Sequence, residues 1–169
     1  SSVLDSAIID SDALFVAAAG NSGSNLDASA LTRFYPASST APNVISVAAV
    51  DQTGHLASFS NYGATSVDIG APGTNILSTN PASSGCPSPC YAWSAGTSMA
   101  APHVAGVAAL VGSRQASLLD DPVAMRARLL AAGRPLAALT GKTASGRMVN
   151  ALRSIDIEPP VVRAPDRFG

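Results

Sequence analysis

The sequence predicts an α/β fold, a mostly parallel sheet flanked by helices. Three observations point to it. A helical pattern over residues 2–11 leads directly into a small apolar run at 13–19, a second unbroken apolar run occupies 44–50, and residues 98–113 are almost wholly apolar or small. A helix followed by a strand buried on both faces is the pattern of a helix-covered parallel sheet. The chain has 169 residues, 47% hydrophobic and 12% charged, which suits one domain with a real core.

Each element has its own warrant. Val3, Leu4, Ala7 and Ile8 recur at helical spacing, so residues 2–11 read as the end of an amphipathic helix. The run from Ala13 to Ala19 stops at Gly20-Asn21-Ser22-Gly23, a turn-forming string, and reads as a buried strand. Residues 23–43 are rich in Ser, Ala and Pro and irregular. Val44 to Val50 is a second buried strand, closed by Asp51-Gln52-Thr53-Gly54. Short strands are expected at 57–60, 66–69 and 75–78, with turns at Asn61-Tyr62-Gly63 and Pro72-Gly73. The segment from Ser98 to Ser113 predicts a helix buried nearly all round, with Pro102 near its start, where a missing N–H costs least. A further helix is expected over 122–132, with Asp121 as N-cap, Pro122 as first residue and Gly133 as stop. A last short helix near 148–154 follows the turn at 141–146. Residues 1–156 thus read as part of one domain, and 157–169, with Pro159, Pro160 and Pro165, as a tail or linker.

Composition removes several classes of function. The net charge is −1, and the nine Arg and single Lys are scattered, so no field recruits nucleic acid or an acidic membrane. No run of eighteen apolar residues occurs. No Gly-x-Gly-x-x-Gly follows a strand, which argues against a dinucleotide binder. Cys86 and Cys90, in Cys-Pro-Ser-Pro-Cys, read either as a small disulfide loop or as two free thiols. A zinc site would need further ligands that His55 and His103 do not supply at a matching spacing.

Two strings carry chemistry. In Gly96-Thr97-Ser98-Met99-Ala100-Ala101-Pro102-His103-Val104-Ala105-Gly106, a serine stands where an irregular segment meets a helix. A helix start offers unpaired N–H groups and positive partial charge. A serine there can attack a carbonyl while its own N–H faces the oxygen that turns negative. Plain helix capping is the simpler account of a Thr-Ser pair taken alone. His103 sits five residues after Ser98 on the same helix, so the two point in different directions, and a structural role suits it better than that of base. In Ala17-Ala18-Ala19-Gly20-Asn21-Ser22-Gly23, an asparagine ends a buried strand, where its amide can donate to an oxyanion; simple turn chemistry is again the plainer account.

The whole of the first string resembles the serine signature of the subtilisin-like serine peptidases, the subtilases, and the second resembles their oxyanion-hole segment. The strings Phe59-Ser60-Asn61-Tyr62-Gly63 and Val67-Asp68-Ile69-Gly70-Ala71-Pro72-Gly73 resemble the stretch between those two, and Thr140-Gly141-Lys142 through Asn150-Ala151 the closing turn and last helix. The likeness runs from about Leu14 to about Ser154. It implies a partial subtilisin-like three-layer fold and a serine-type endopeptidase acting on polypeptides, with Ser98 as nucleophile and Asn21 as oxyanion donor. It further implies that Ala18, Ala19 and Gly20 line one side of the primary specificity pocket, with Phe34 near its rim and Thr97 as an auxiliary donor. Asp68 has a structural place in the pattern.

The family order is Asp, His, then Ser, and the Asp and His strings do not occur here. The chain starts at Ser1 and looks cut. The isolated chain is therefore expected to be inactive and poorly folded unless the upstream half of the same domain docks with it. The competing expectation is a subtilase-like binding module or pseudoenzyme. The chemistry implied requires no cofactor; structural calcium is common in the family, and no acidic cluster here forms an oxygen cage by itself. The resemblance also implies a secreted protein.

Overall fold

A computed structural model describes residues 2–81 and 90–156. Four helices, α1 (Ser2–Ile9), α2 (Thr97–Arg114), α3 (Pro122–Ala132) and α4 (Ala151–Ile155), accompany seven strands. These are β1 (Phe15–Ala18), β2 (Val44–Val50), β3 (Ile69–Pro72), β4 (Ile76–Thr79), β5 (Tyr91–Ser94), β6 (Arg134–Pro135) and β7 (Arg147–Met148). Five of them form one sheet in the order β1-β2-β3-β7-β6, parallel from β1 to β7 and antiparallel at β6. β4 and β5 form a separate antiparallel ribbon.

β2 is the spine, and all seven of its residues are buried. Its alternate side chains serve two cores, as a strand covered on both faces requires. Ile45, Val47 and Ala49 pack with Ala100 and Val104 of α2 and Met125 and Leu129 of α3. On the other face Val44 packs with Ile8 of α1 and Ala17, and Ala48 with Ala19, Leu26 and Val67. The result is the expected α/β architecture in three layers. Fully burying one Leu- or Val-sized side chain contributes about 1.5–3 kcal/mol, and Val44, Ile45, Val47 and Val50 of the spine each add on that order.

Several expectations need correction. β1 is not buried on both faces: Phe15 is 38% exposed, because β1 ends the sheet. No strand forms at 57–60. β2 outruns the four-residue β1, and segment 56–60 meets the surplus edge with single bonds instead of a ladder. Ala57 N–H donates to Ala49 O (2.9 Å), and Ala49 N–H to Ser60 Oγ (2.9 Å). The strand expected at 66–69 is β3, displaced to 69–72, since a turn occupies 64–66. The strand expected at 75–78 is β4, at 76–79. The turn expected at 61–63 falls at 64–66, and Tyr62 bridges to Asn25.

The helices bring corrections of the same kind. α2 is not buried all round. It seats Thr97, Ala100, Val104, Val111 and Gly112 on the sheet side and leaves Ala105, Gly106, Ala109 and Leu110 exposed. α3 begins as predicted, with Asp121 accepting from Ala124 N–H (2.9 Å). Gly133 does not stop it through a left-handed turn, its φ being −53°. It is glycine because a Cβ there would lie 2.9 Å from Arg147 Cβ and 3.1 Å from Met148 O. The last helix starts later than predicted because Arg147–Met148 first extends the sheet. The tail expected at 157–169 lies outside the described residues. Cys90 is disulfide-bonded; Cys86 also lies outside the described residues.

Candidate active site

The site forms at the C-terminal ends of the parallel strands, where open α/β sheets gather their ligands. β1 runs out at Ala18, and Gly20 turns the chain with φ +99°, a conformation that L side chains avoid. Gly20 is also sterically forced: a Cβ there would stand 2.4 Å from Asn61 Nδ2 and 3.2 Å from Phe34 Cδ1. Asn21 follows, exposed to solvent. From the neighbouring strands, Gly73, just after β3, accepts a hydrogen bond from Gly96 N–H (2.8 Å). That bond sets the start of α2, and with it Thr97 and Ser98.

Thr97 clips the two segments together. Its N–H and its hydroxyl both donate to Asn21 Oδ1 (2.9 Å each), and Gly20 N–H donates to Thr97 Oγ1 (3.0 Å). A backbone N–H can only donate, so the atom of Asn21 that faces it is the carbonyl oxygen. The amide nitrogen is thereby turned the other way. A Cβ placed on Gly96 would lie 3.4 Å from Asn21 Nδ2 and 3.7 Å from Ser98 N. Both donors thus border one small space, which glycine keeps open. Neither Asn21 Nδ2 nor Ser98 N–H has a hydrogen-bond partner among the described residues. Two unspent N–H donors at a helix start, facing the same point, can hold an oxygen that carries developing negative charge.

The other predicted positions fall as follows. Ala18 is half-buried and Gly20 buried, with the Phe34 ring beside Gly20 and 47% exposed. Ala19 is fully buried against Leu26, Ala48 and Val67, so its side chain lines no pocket. Its backbone is committed as well, to Val47 O (3.0 Å) and Asn61 Nδ2 (2.8 Å). The Thr97 hydroxyl donates to Asn21, and the residue has no exposed surface.

His103 donates from Nδ1 to Met99 O (2.8 Å), one turn back on its own helix. Ser98 Oγ has no hydrogen-bond partner among the described residues, and neither histidine of the chain reaches it. Asp68 precedes β3, at the end of the sheet away from Asn21. It pairs with Arg126 there and accepts from Ser46 N–H (2.8 Å). Burial pushes its carboxyl upward, against the pull of Ser46 N–H and Arg126.

One residue that organises the site had been seen only as part of a string. Asn61 Oδ1 accepts from Ser22 N–H and Ser24 N–H (3.0 Å each), its Nδ2 donates to Ala19 O, and its N–H to Gly20 O (2.9 Å). It staples the whole 19–24 turn. A polar residue at a turn is too common for spacing alone to single it out. Among the described residues no three His, Cys, Asp or Glu side chains converge as a metal site would require.

A sequence model of the subtilase family matches residues 2–150. The chain belongs to the subtilase family. Its subtilase relatives include a thermophilic serine proteinase of a Bacillus species (strain AK1), 54% identical over 99 residues, which are 59% of this chain and 21% of that protein. An extracellular protease of Xanthomonas campestris is 43% identical over 137 residues, 80% of this chain and 22% of that protein. Among solved structures, a protease from Pseudoalteromonas arctica superposes with a TM-score of 0.75 at 33% identity, covering 92% of this chain and 46% of that one. The prenylagaramide maturation protease PagA superposes with a TM-score of 0.69 at 30% identity, covering 89% of this chain and 52% of that one. This subtilase chain therefore spans about a fifth of those two curated relatives and about half of the solved chains.

Proposed function

We propose that this subtilase chain is the nucleophile-bearing part of a serine endopeptidase. The observation that carries the proposal is the shared space bordered by Asn21 Nδ2 and Ser98 N, with Ser98 exposed at its edge. Ser98 Oγ attacks the carbonyl carbon of a polypeptide substrate, and its proton passes to a histidine that an upstream segment supplies together with an aspartate. The carbonyl oxygen, now negative, is held by Asn21 Nδ2 and Ser98 N–H. Collapse breaks the C–N bond, the histidine protonates the leaving amine, and an acyl-enzyme remains on Ser98. A water, deprotonated by the same histidine, then releases the acid and restores the serine. Attack and proton transfer use side chains and water, so the chemistry takes no cofactor. Ala18, Gly20 and Phe34 lie beside the Asn21 turn, where the side chain preceding the scissile bond would sit.

The upstream half of the domain is the proposed partner. The open face of α2, with Leu110 42% exposed, and the outer edge of β1, unpaired among the described residues, support its docking here. An extracellular location is proposed on the relatives named as extracellular proteases and on the disulfide at Cys90, which suits an oxidising compartment.

A fluorophosphonate probe tests the proposal. The chain co-expressed with an upstream segment bearing the Asp and His strings should be labelled at Ser98 and should cleave casein. Ser98→Ala should abolish both, and the chain by itself should label at background. Absence of labelling in the assembled protein, or equal labelling of Ser98→Ala, overturns it.

A further inference from the structure

A cleft of about 520 Å³ opens beside the site, between the turn after β2, the bend after β3, and β6. Its floor is apolar, formed by Val50, Ile76, Leu136 and Met148. Arg134 stands on its wall, exposed, and the guanidinium has neither an ion pair nor a hydrogen bond among the described residues. Thr74 of the lining has its Oγ1 buried without a partner among the described residues.

We propose that this cleft binds the carboxyl-terminal end of a peptide, with an apolar last side chain on the floor and its carboxylate on Arg134. Charge selects the occupant. A guanidinium with all its donors unspent matches a carboxylate in both charge and fork geometry. The volume is sufficient for one large apolar side chain with its backbone. Asp51, on the same wall system, has Oδ1 occupied by Thr53 N–H (2.9 Å), Thr53 Oγ1 (2.7 Å) and His55 N–H (2.9 Å).

The cleft also touches the site mechanically. Gly73 lies between two lining residues, Pro72 and Thr74; its N–H donates to Val50 O (2.9 Å) and its carbonyl holds Gly96 N–H. Hydrolysis of peptide bonds creates new carboxyl ends, so the proposed activity supplies the ligand, but the binding site stands on Arg134 and the floor whatever that activity proves to be.

Binding can be measured without turnover. The Ser98→Ala chain, ¹⁵N-labelled and assembled with the unlabelled upstream segment, is titrated with N-acetyl-Gly-Gly-Leu as the free acid and as the C-terminal amide, following the Thr53, Thr74 and Arg134 signals. The acid should bind at least about tenfold more tightly than the amide, the effect of one charge-assisted contact. Arg134→Gln should reduce the acid to the level of the amide and leave the amide unchanged, and replacing the final Leu by Gly should weaken both. Equal binding of acid and amide, an acid indifferent to Arg134→Gln, or no shift of those signals at millimolar peptide overturns the proposal. Because no bond is cleaved in this experiment, its failure is separate from any failure of fluorophosphonate labelling.

Discussion

Asn21 and Ser98 are 77 positions apart, and a third residue, Thr97, makes them a unit. Its N–H and hydroxyl fix which way the Asn21 amide points, and Gly96 keeps vacant the space the two donors face. A methyl group on Gly96 would fill that space, and it would also strain the backbone beside the clip, since Gly96 has φ +157°. Gly96→Ala in the assembled protein should therefore lower kcat by about 10²–10³, the scale on which loss of one oxyanion donor is felt in subtilisin, itself a member of this family. KM should change far less. Steady-state kinetics on a peptide ester checks this, and an unchanged kcat would remove the space from the mechanism. At this scale the sequence was informative about identity and poor about role. Ser98 and Asn21 stood out by their strings, whereas nothing in the order of residues showed that the Thr97 hydroxyl turns to Asn21 or that the Ala19 side chain packs in the core. Which partner a hydroxyl chooses depends on what the fold brings beside it.

Helix α3 shows what an element owes to local sequence. Asp121 accepts from Ala124 N–H, and Pro122 occupies the first helical position. Both were legible, because capping is decided within four residues. Asp121→Ala should cost about 1 kcal/mol, read as a lower urea midpoint with unchanged m-value; a cost near zero would mean that packing of Met125 and Leu129 holds the helix unaided. The C-terminal end was misjudged for the opposite reason. Gly133 is required by the close approach of Arg147 and Met148 from β7, fourteen residues on, and no local rule contains that distance. β3 and the 56–60 segment were misplaced likewise, since short strands are defined by their partners more than by their own composition.

The whole molecule is held at its far end by the Asp68–Arg126 pair, which ties α3 to β2 and β3. Arg126 Nε also donates to Val44 O (2.7 Å). Burial raises the Asp68 carboxyl above its ordinary value of 3.8, so between that value and the raised one the folded state binds more protons than the unfolded state. Stability contributed by this group therefore falls as pH rises through that window. Arg126→Met removes the compensating charge and pushes the carboxyl higher still. It should cost about 3 kcal/mol at pH 7, and the loss should shrink as pH is lowered toward 4, where a protonated Asp68 needs no cation. Urea midpoints between pH 4 and 7 measure it, and a loss independent of pH would show that Arg126 acts through packing alone.

The amino-acid order by itself determined the fold class, the spine strand at 44–50 and the start of α3, and it singled out the two strings that hold Ser98 and Asn21. These rest on periodicity and on contacts within a few residues, which a linear sequence contains. Only the tertiary structure decided which donors remain free among the described residues, that α2 has an open face, that Gly133 yields to a neighbour, and that Arg134 overlooks an apolar cleft. Each of those is a contact between distant segments, and its energy exists only once the chain has closed around it.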